Sequence, residues 1–476
     1  MTTLARRQAP VLLPFILLLL GGCAGTGSGP ETSGTFPVPE EIEDNVELWR
    51  NVYATWSRGQ VVFHDDEYMG VIYEVAKLPG PTRAGYTPEQ KQFVRAKTAY
   101  YKSRLETLEA KVSSGRSLTR NERALHEKIV DAAGSRALVG AHERVRSQRG
   151  LRERFHRGLA ISGRYDPAFR EIFRSKGLPE DLAYLPHVES SFQVNAHSSA
   201  GAAGVWQFTR GTGKIYMTVN HAVDERLDPV VAAEGAARYL GDAHRKLGSW
   251  PLAVTSYNHG QGGMKKAKSI YGDDLGRIVR HYKGRYFGFA SRNFYAEFLA
   301  AREVAGNPKK YFPEGVNYKA PLSEDRLVLR HSMPVHHLAR HYGLSTYQLN
   351  DLNMAWREPA RQGRLYLPAG SSVWLPDGSL QRVAAHPAPA PVLVAKAEPR
   401  VKVKKTKTVA RAKQSTKPAK TKKTKKVAKL HVVKPNETLY RVAVRYNLSI
   451  TELRRLNRLG PKDNTIRPGQ RLRVSS

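Results

Sequence analysis

From Pro39 to about Phe173, apolar residues recur three and four positions apart among charges, as in VELWRNVYATW (46–56) and FVRAKTAYYKSRLETLEAKV (93–112), with Gly/Pro breaks at 79–85. That period predicts helices, so 39–173 reads as a helical arm. From Arg174 to Asn307 the chain is denser in Gly, aromatics and short helical patterns, as expected of a compact domain. Within it, LPEDLAYLPHVESSF (178–192) opens as a helix should, with Pro179 early and Glu180 and Asp181 in the first turn. Leu182, Leu185, Val188 and Phe192 supply its apolar face, and Pro186 is expected to bend or interrupt it. Glu189 then falls near the C-terminal end.

The C-terminal part contains a repeat. PVHHLARHYGLSTYQLNDLN (334–353) aligns without gaps on TLYRVAVRYNLSITELRRLN (438–457), with seven identities in twenty positions at a constant offset of 104. Ser345-x-x-Gln348 and Ser449-x-x-Glu452 are capping boxes that start a second helix at the same place in each copy. KLHVV (429–433) and QRLRV (470–474) read as short strands. Each unit is therefore strand, helix, helix, strand. The whole chain is predicted to be mainly α, with small βααβ modules at 321–376 and 430–476.

Charge changes this picture in one place. The 476 residues carry a formal +35, but Lys396–Lys429 alone holds fifteen Lys and Arg against one acid, Glu398, a net +14. That stretch lies in a Pro/Ala/Lys-rich segment, 386–429, with too few large apolar residues to offset the entropy of ordering. It is expected to be a disordered, self-repelling linker, with attraction to anionic envelope polymers as the other reading. The chain start has Arg6 and Arg7, an apolar run from Val11 to Leu20 and then LGGCAGTGSG, the layout of an export signal. About ten apolar residues are too few to span a bilayer. The only cysteine, Cys23, follows Leu20-Gly21-Gly22, which resembles a bacterial lipobox. The resemblance implies a signal peptide at 1–22, a lipid on Cys23 and, with Ala24 next, the outer membrane facing the periplasm. The Gly/Ser/Thr/Pro-rich composition that follows reads as a tether over 23–38. Intrachain disulfides are excluded, and an exported chain makes nucleic acid an unsuitable partner despite the basic pI.

Glu189 is the candidate for chemistry. Apolar neighbours and a helix C-terminus both favour its protonated form, which a general acid for glycosidic cleavage needs. The nearest preceding acids, Glu180 and Asp181, would lie about 12 Å or more away on a continuous helix. The next downstream are Asp224 and Glu225. Glu189-Ser190-Ser191-Phe192, then Ser198, then GAAGVWQF (201–208), then SYNHG (256–260) follow the order and spacing of the lytic transglycosylase (SLT, lysozyme-like) domain. The resemblance covers about 174–307. PNETLYRVAVRYNLSITELRRLN with IRPGQRLRV closely resembles a LysM module, a binder of N-acetylglucosamine-containing glycans, whereas the 334–353 copy lacks that opening and close. With the lipobox and arm, the chain resembles lytic murein transglycosylases of the membrane-bound D type.

The resemblance implies that Glu189 protonates the bond between N-acetylmuramic acid (MurNAc) and N-acetylglucosamine (GlcNAc), then takes the C6 hydroxyl proton to close a 1,6-anhydro ring. One carboxyl acts as acid and then base. Ser198 and Tyr257 would contact the N-acetyl region, Gln207 and Asn258 would position the sugar or Glu189, and Trp206, where many relatives have Met, would wall a sugar subsite. Helix capping for Ser198 and core packing for Tyr257 are the plainer alternatives. A goose-lysozyme-like hydrolase and a non-catalytic wall-binding scaffold are the competing functions. No cofactor is implied. His187-x-Glu189 lacks the cysteine pair of a zinc deaminase, RGTGK (210–214) lacks the ends of a phosphate loop, and the histidines show no metal-ligand pairing.

Overall fold

The computed structural model describes residues 34–383 and, with gaps, residues between 430 and 475. The predicted signal peptide, Cys23 and the basic linker 386–429 lie outside the described residues. Two compact units divide the chain near residue 394. Among the described residues, no helix is long and apolar enough to cross a membrane.

The stretch expected to be a helical arm is not one. It runs α1 (Glu43–Ala54), β1 (Gln60–Asp65), β2 (Ile72–Lys77), α2 (Pro88–Ser113), α3 (Arg120–Ala133), β3 (Val145–Arg149) and α4 (Arg152–Ser175). The strands form an antiparallel sheet in the order β2-β1-β3. QVVFHD and IYEVAK are short runs rich in β-branched and aromatic residues, which suit a pleated surface. Successive side chains of β1 point to opposite faces, so Val62 joins the main core while Val61 and Phe63 join a second core with Tyr101, Leu105, Leu108 and Ile129. Helices α2 and α3, joined by the Lys111–Glu122 ion pair, pack on this sheet through that second core. Reciprocal capping boxes open both helices, Thr87 with Gln90 and Thr119 with Glu122.

The ends of that stretch belong to the main core, together with α5 (Leu185–Glu189), α6 (Arg210–Tyr216), α7 (Pro229–Leu247), α8 (Trp250–His259), α9 (Gln261–Tyr271), α10 (Leu275–His281), α11 (Phe289–Gly306) and α12 (Pro308–Tyr311). Helix α1 packs on α11, where Asn45 Nδ2 and Trp49 Nε1 both donate to Asn293 Oδ1 at 3.0 and 3.2 Å. From α4, Phe155, Phe169 and Phe173 are buried in the same core. Phe36 is also in it. Its ring lies 5.1 Å from Phe298 and 6.1 Å from Trp250, and Tyr295 Oη donates to the neighbouring Pro37 carbonyl at 2.9 Å.

The first repeat folds as β4 (Asp325–Val328), α13 (Val335–Tyr342), α14 (Thr346–Leu352) and β5 (Ser372–Leu375), with β4 and β5 antiparallel. The Ser345–Gln348 capping box is formed. Ala222 and Val223 of the main domain are buried in this module's own core, among Leu329, Leu338, Trp356 and Leu375. The second repeat shows the antiparallel strands β6 (Leu430–Val432) and β7 (Arg471–Arg473) and the helix Ile450–Asn457. Ser449 of its capping box lies outside the described residues.

Candidate active site

A 3-10 turn, Glu180–Tyr184, leads into α5, which ends at Glu189. Pro186 therefore bends no longer helix. It sits in the first turn of α5, where a missing N–H breaks no intrahelical bond. Glu180 pairs with Arg174 and Asp181 with Arg302, so both acids are engaged in ion pairs. Beyond Glu189 the chain reverses sharply. The N–H groups of Ser190 and Phe192 both donate to the Pro186 carbonyl, at 3.1 and 3.2 Å, and Ser191 and Phe192 adopt left-handed φ of 52° and 57°. Two consecutive non-glycine residues in that region mark strain that surrounding contacts must hold. Arg154 supplies some of them, donating from Nε to Ser191 Oγ at 3.1 Å and from Nη2 to the Ser190 carbonyl at 3.4 Å. Ser190 Oγ donates to the Val205 carbonyl at 2.8 Å and so ties the turn to the next loop.

That loop carries most of the other sequence candidates. Gln207 has φ 47°, and its Nε2 donates to the Gly204 and Ala196 carbonyls at 2.8 and 3.2 Å, bridging the loop from within. Ser198 is exposed, and its Oγ accepts from Ala202 N at 3.0 Å, a loop-capping bond. Tyr257 on α8 reaches across and donates to the Trp206 carbonyl at 2.9 Å. Asn258 beside it is exposed, and its Oδ1 accepts from Ser291 Oγ at 2.8 Å. Trp206 requires a correction. Its side chain is 0% exposed and packs against Phe169 and Phe173, with centroids 5.2 and 5.9 Å away, so it cannot wall a sugar subsite. Consecutive residues in the loop point opposite ways, Gln207 toward the Gly204 and Ala196 carbonyls and Trp206 into the core.

Electrostatics single out two carboxyls. Glu189 and Glu297 are each partly exposed as residues, yet burial of their acid groups pushes both up to about 8. The second cause for Glu189 is the charge of Glu297, on α11, which packs against α5. Sequence reasoning did not find Glu297. Its only signal was a lone acid in the apolar run NFYAEFLAA (293–301). The phenols of Tyr257 and Tyr53 are also raised by burial, then by Glu189 and Glu297 respectively. Glu189, Glu297, Tyr53 and Tyr257 thus share one weakly solvated neighbourhood that favours uncharged forms. The downstream acids are occupied elsewhere. Asp224 pairs bidentately with Arg226 at 2.8 Å, and Glu225 accepts from Thr218 N at 2.6 Å. His187 is buried, its ring 4.9 Å from Phe155 and 4.6 Å from that of Phe192, and burial lowers it to about 3, so it stays neutral.

The site can therefore present a protonated carboxyl near neutrality, beside a buried tyrosine and a loop of bent backbone. Known proteins share parts of this chain. The family model described as Transglycosylase SLT domain matches residues 168–278, and the LysM domain model matches 431–475. Membrane-bound lytic murein transglycosylase D of Escherichia coli (strain K12) is 29% identical over 147 residues, which is 29% of this chain and 30% of that protein. Membrane-bound lytic murein transglycosylase F 2 of Alkalilimnicola ehrlichii is 34% identical over 122 residues, 24% of this chain and 26% of that one. The match therefore spans less than a third of the length of these curated relatives. A 70 kDa soluble lytic transglycosylase of Escherichia coli aligns with 47% of this chain and 35% of its own at 17% identity and a TM-score of 0.27, too distant a likeness to assign a fold. The chain carries an SLT transglycosylase domain and a C-terminal LysM domain.

Proposed function

We propose that this chain is a peptidoglycan lytic transglycosylase that cleaves the β-1,4 bond between MurNAc and GlcNAc and leaves 1,6-anhydro-MurNAc ends. The observation that carries this reading is the carboxyl of Glu189, raised to about 8 within the stretch matched by the SLT model. Protonated at neutral pH, it gives its proton to the glycosidic oxygen as that bond breaks. The resulting carboxylate then takes the proton of the C6 hydroxyl as that oxygen closes on C1, so the acid is regenerated and no water enters. Tyr257, Gln207, Asn258 and Ser198 serve as the polar walls that orient the sugar.

Glu297 favours one competitor, because hydrolysis with a separate base requires a second carboxylate. It is poorly suited to that task, since the same enclosure holds it toward its protonated form. Mass spectrometry of digested sacculi separates the readings: anhydro products are lighter than reducing ones by one water. Reducing ends alone would replace transglycosylation with hydrolysis.

Cys23 is proposed as the lipid anchor at the outer membrane, facing the periplasm. The tether expected over 23–38 is cut short by Phe36, which is buried in the main core. The residues before it and 386–429 then act as tethers, the latter with affinity for anionic envelope polymers, and 430–476 as the glycan-binding module. Palmitate labelling that persists after Cys23→Ala would remove the anchor from this scheme.

A further inference from the structure

We propose that the first repeat, 321–376, is a brace for the cleavage site, and that Arg226 is the positioning residue through which it holds the loop 198–208. This rests on the reading of Glu189 and that loop as the site. The contacts form an unbroken series from the repeat to the loop. At the seam, Asp224 N donates to the Ala355 carbonyl at 2.7 Å, Arg357 N to the Ala222 carbonyl at 2.9 Å, and Arg357 Nη1 to the Asn220 carbonyl at 3.2 Å. Trp374 Nε1 donates to Asp228 Oδ2, and Arg326 Nη1 to Glu234 Oε1, both at 2.8 Å.

One residue inward, Arg226 is buried, at 5% exposure. Its Nε and Nη2 are taken by the two carboxylate oxygens of Asp224 at 2.8 Å. The remaining arm, Nη1, donates to the Gly201 carbonyl at 2.8 Å and the Phe208 carbonyl at 3.0 Å, the two ends of the loop segment that carries Gln207. The Arg226 backbone presses on the loop as well, since a Cβ built on Gly204 would lie 1.8 Å from the Arg226 carbonyl oxygen. A guanidinium suits this task because its planar fork serves a carboxylate and two carbonyls at once, which an ammonium cannot.

The loop needs such support. Gln207 holds a left-handed φ, and the adjacent Trp206 carbonyl anchors Tyr257, so slack here displaces both. The first repeat thereby acts on the geometry of cleavage, whereas a glycan-binding repeat would act on local substrate concentration.

The test uses the full chain carrying Trp356→Ala at the seam and, separately, Arg226→Lys, with soluble uncrosslinked glycan strands as substrate. Each variant is expected to lose roughly tenfold to hundredfold in kcat, the scale of a misplacement of about 1 Å, with a smaller change in KM. Retention on insoluble sacculi should be unchanged, and the amides of Ala203, Gly204 and Gln207 should exchange hydrogen faster. Wild-type protection of those amides in either variant would overturn the brace, and so would faster exchange with unchanged kcat. If Trp356→Ala fails to fold, Arg357→Ala, which removes one seam bond, replaces it under the same criteria. Exchange is read without chemistry, so cleavage surviving in Glu189→Gln would instead overturn the reading of the site.

Discussion

The two repeat copies share an internal joint and differ at their surfaces. In the first, Asn353 Nδ2 donates to the Leu349 and Trp374 carbonyls, both at 2.8 Å, and its Oδ1 accepts from Trp374 N at 2.8 Å. In the second, Asn457 Nδ2 donates to the Leu453 and Arg473 carbonyls at 2.8 and 2.9 Å, and its Oδ1 accepts from Arg473 N at 2.6 Å. One asparagine thus ties the second helix to the last strand in both. Yet the strand position that it holds is Trp374 in one copy and Arg473 in the other, and the residue at the place of the buried Trp356 is Gly460. The first copy shares a core with the main domain, while the second belongs to a separate unit. A few outward residues therefore distinguish the copies, since the first presents an apolar anchor to a matched partner in its own unit and the second presents a charge at the same place.

The largest effect is expected from removing the chemistry that both copies are proposed to serve. Glu189→Gln keeps shape but cannot transfer a proton, and cleavage of soluble strands should fall about 10²- to 10⁴-fold with glycan retention intact. Retention of more than a few percent of turnover with unchanged melting would move the acid to another residue, Glu297 first. Deleting 430–476 should do the reverse. Binding to sacculi should weaken by roughly 10²-fold or more, because a linked module contributes through effective concentration, while soluble cleavage holds. Equal loss of both in a pelleting and turnover assay would make the second copy part of the catalytic fold. Tyr257→Phe removes one hydrogen bond to a partly buried carbonyl and should slow turnover roughly 5- to 150-fold.

Smaller effects concern protonation. Glu189 is raised from 4.5 to about 8, so activity should decline above about pH 8 as the acid ionises. Glu297→Gln removes a negative neighbour, lowers the Glu189 value and should shift that alkaline limb to lower pH in a kcat/KM profile. An unmoved limb would leave burial as the sole cause. A carboxyl raised on folding contributes stability that is complete below its unfolded value and is lost as pH rises through about 8. Glu189→Gln should accordingly melt with less alkaline destabilisation than the wild-type chain.

Glu189 stood out in the sequence as the candidate acid because its companions lie in short ordered motifs, and the repeat because its period is regular. Glu297 did not, since it is joined to Glu189 only by the packing of α11 on α5. Nothing near it in sequence distinguishes an enclosed acid from a surface one. Trp206 was misread because adjacency to Gln207 says nothing of direction in a loop whose residues take unusual dihedrals. The sheet was missed because QVVFHD and IYEVAK are too short to outweigh the helical period around them. The docking of the first copy was not legible because its seam partners, Ala222 and Val223, precede it by about a hundred residues and look like ordinary loop.

The burial of Phe36 sets a geographic limit. Phe36 lies thirteen positions after Cys23, and that many Cα–Cα steps span at most about 43 to 47 Å when fully extended. With the lipid on Cys23, the main domain works on a leash whose far end is fixed in its own interior. On the proposed anchor and activity, Glu189 would reach only the layer of wall closest to the membrane. Lengthening the segment before Thr35 should widen that zone without altering the surroundings of Glu189, so that the depth of wall digestion would follow the length of the leash.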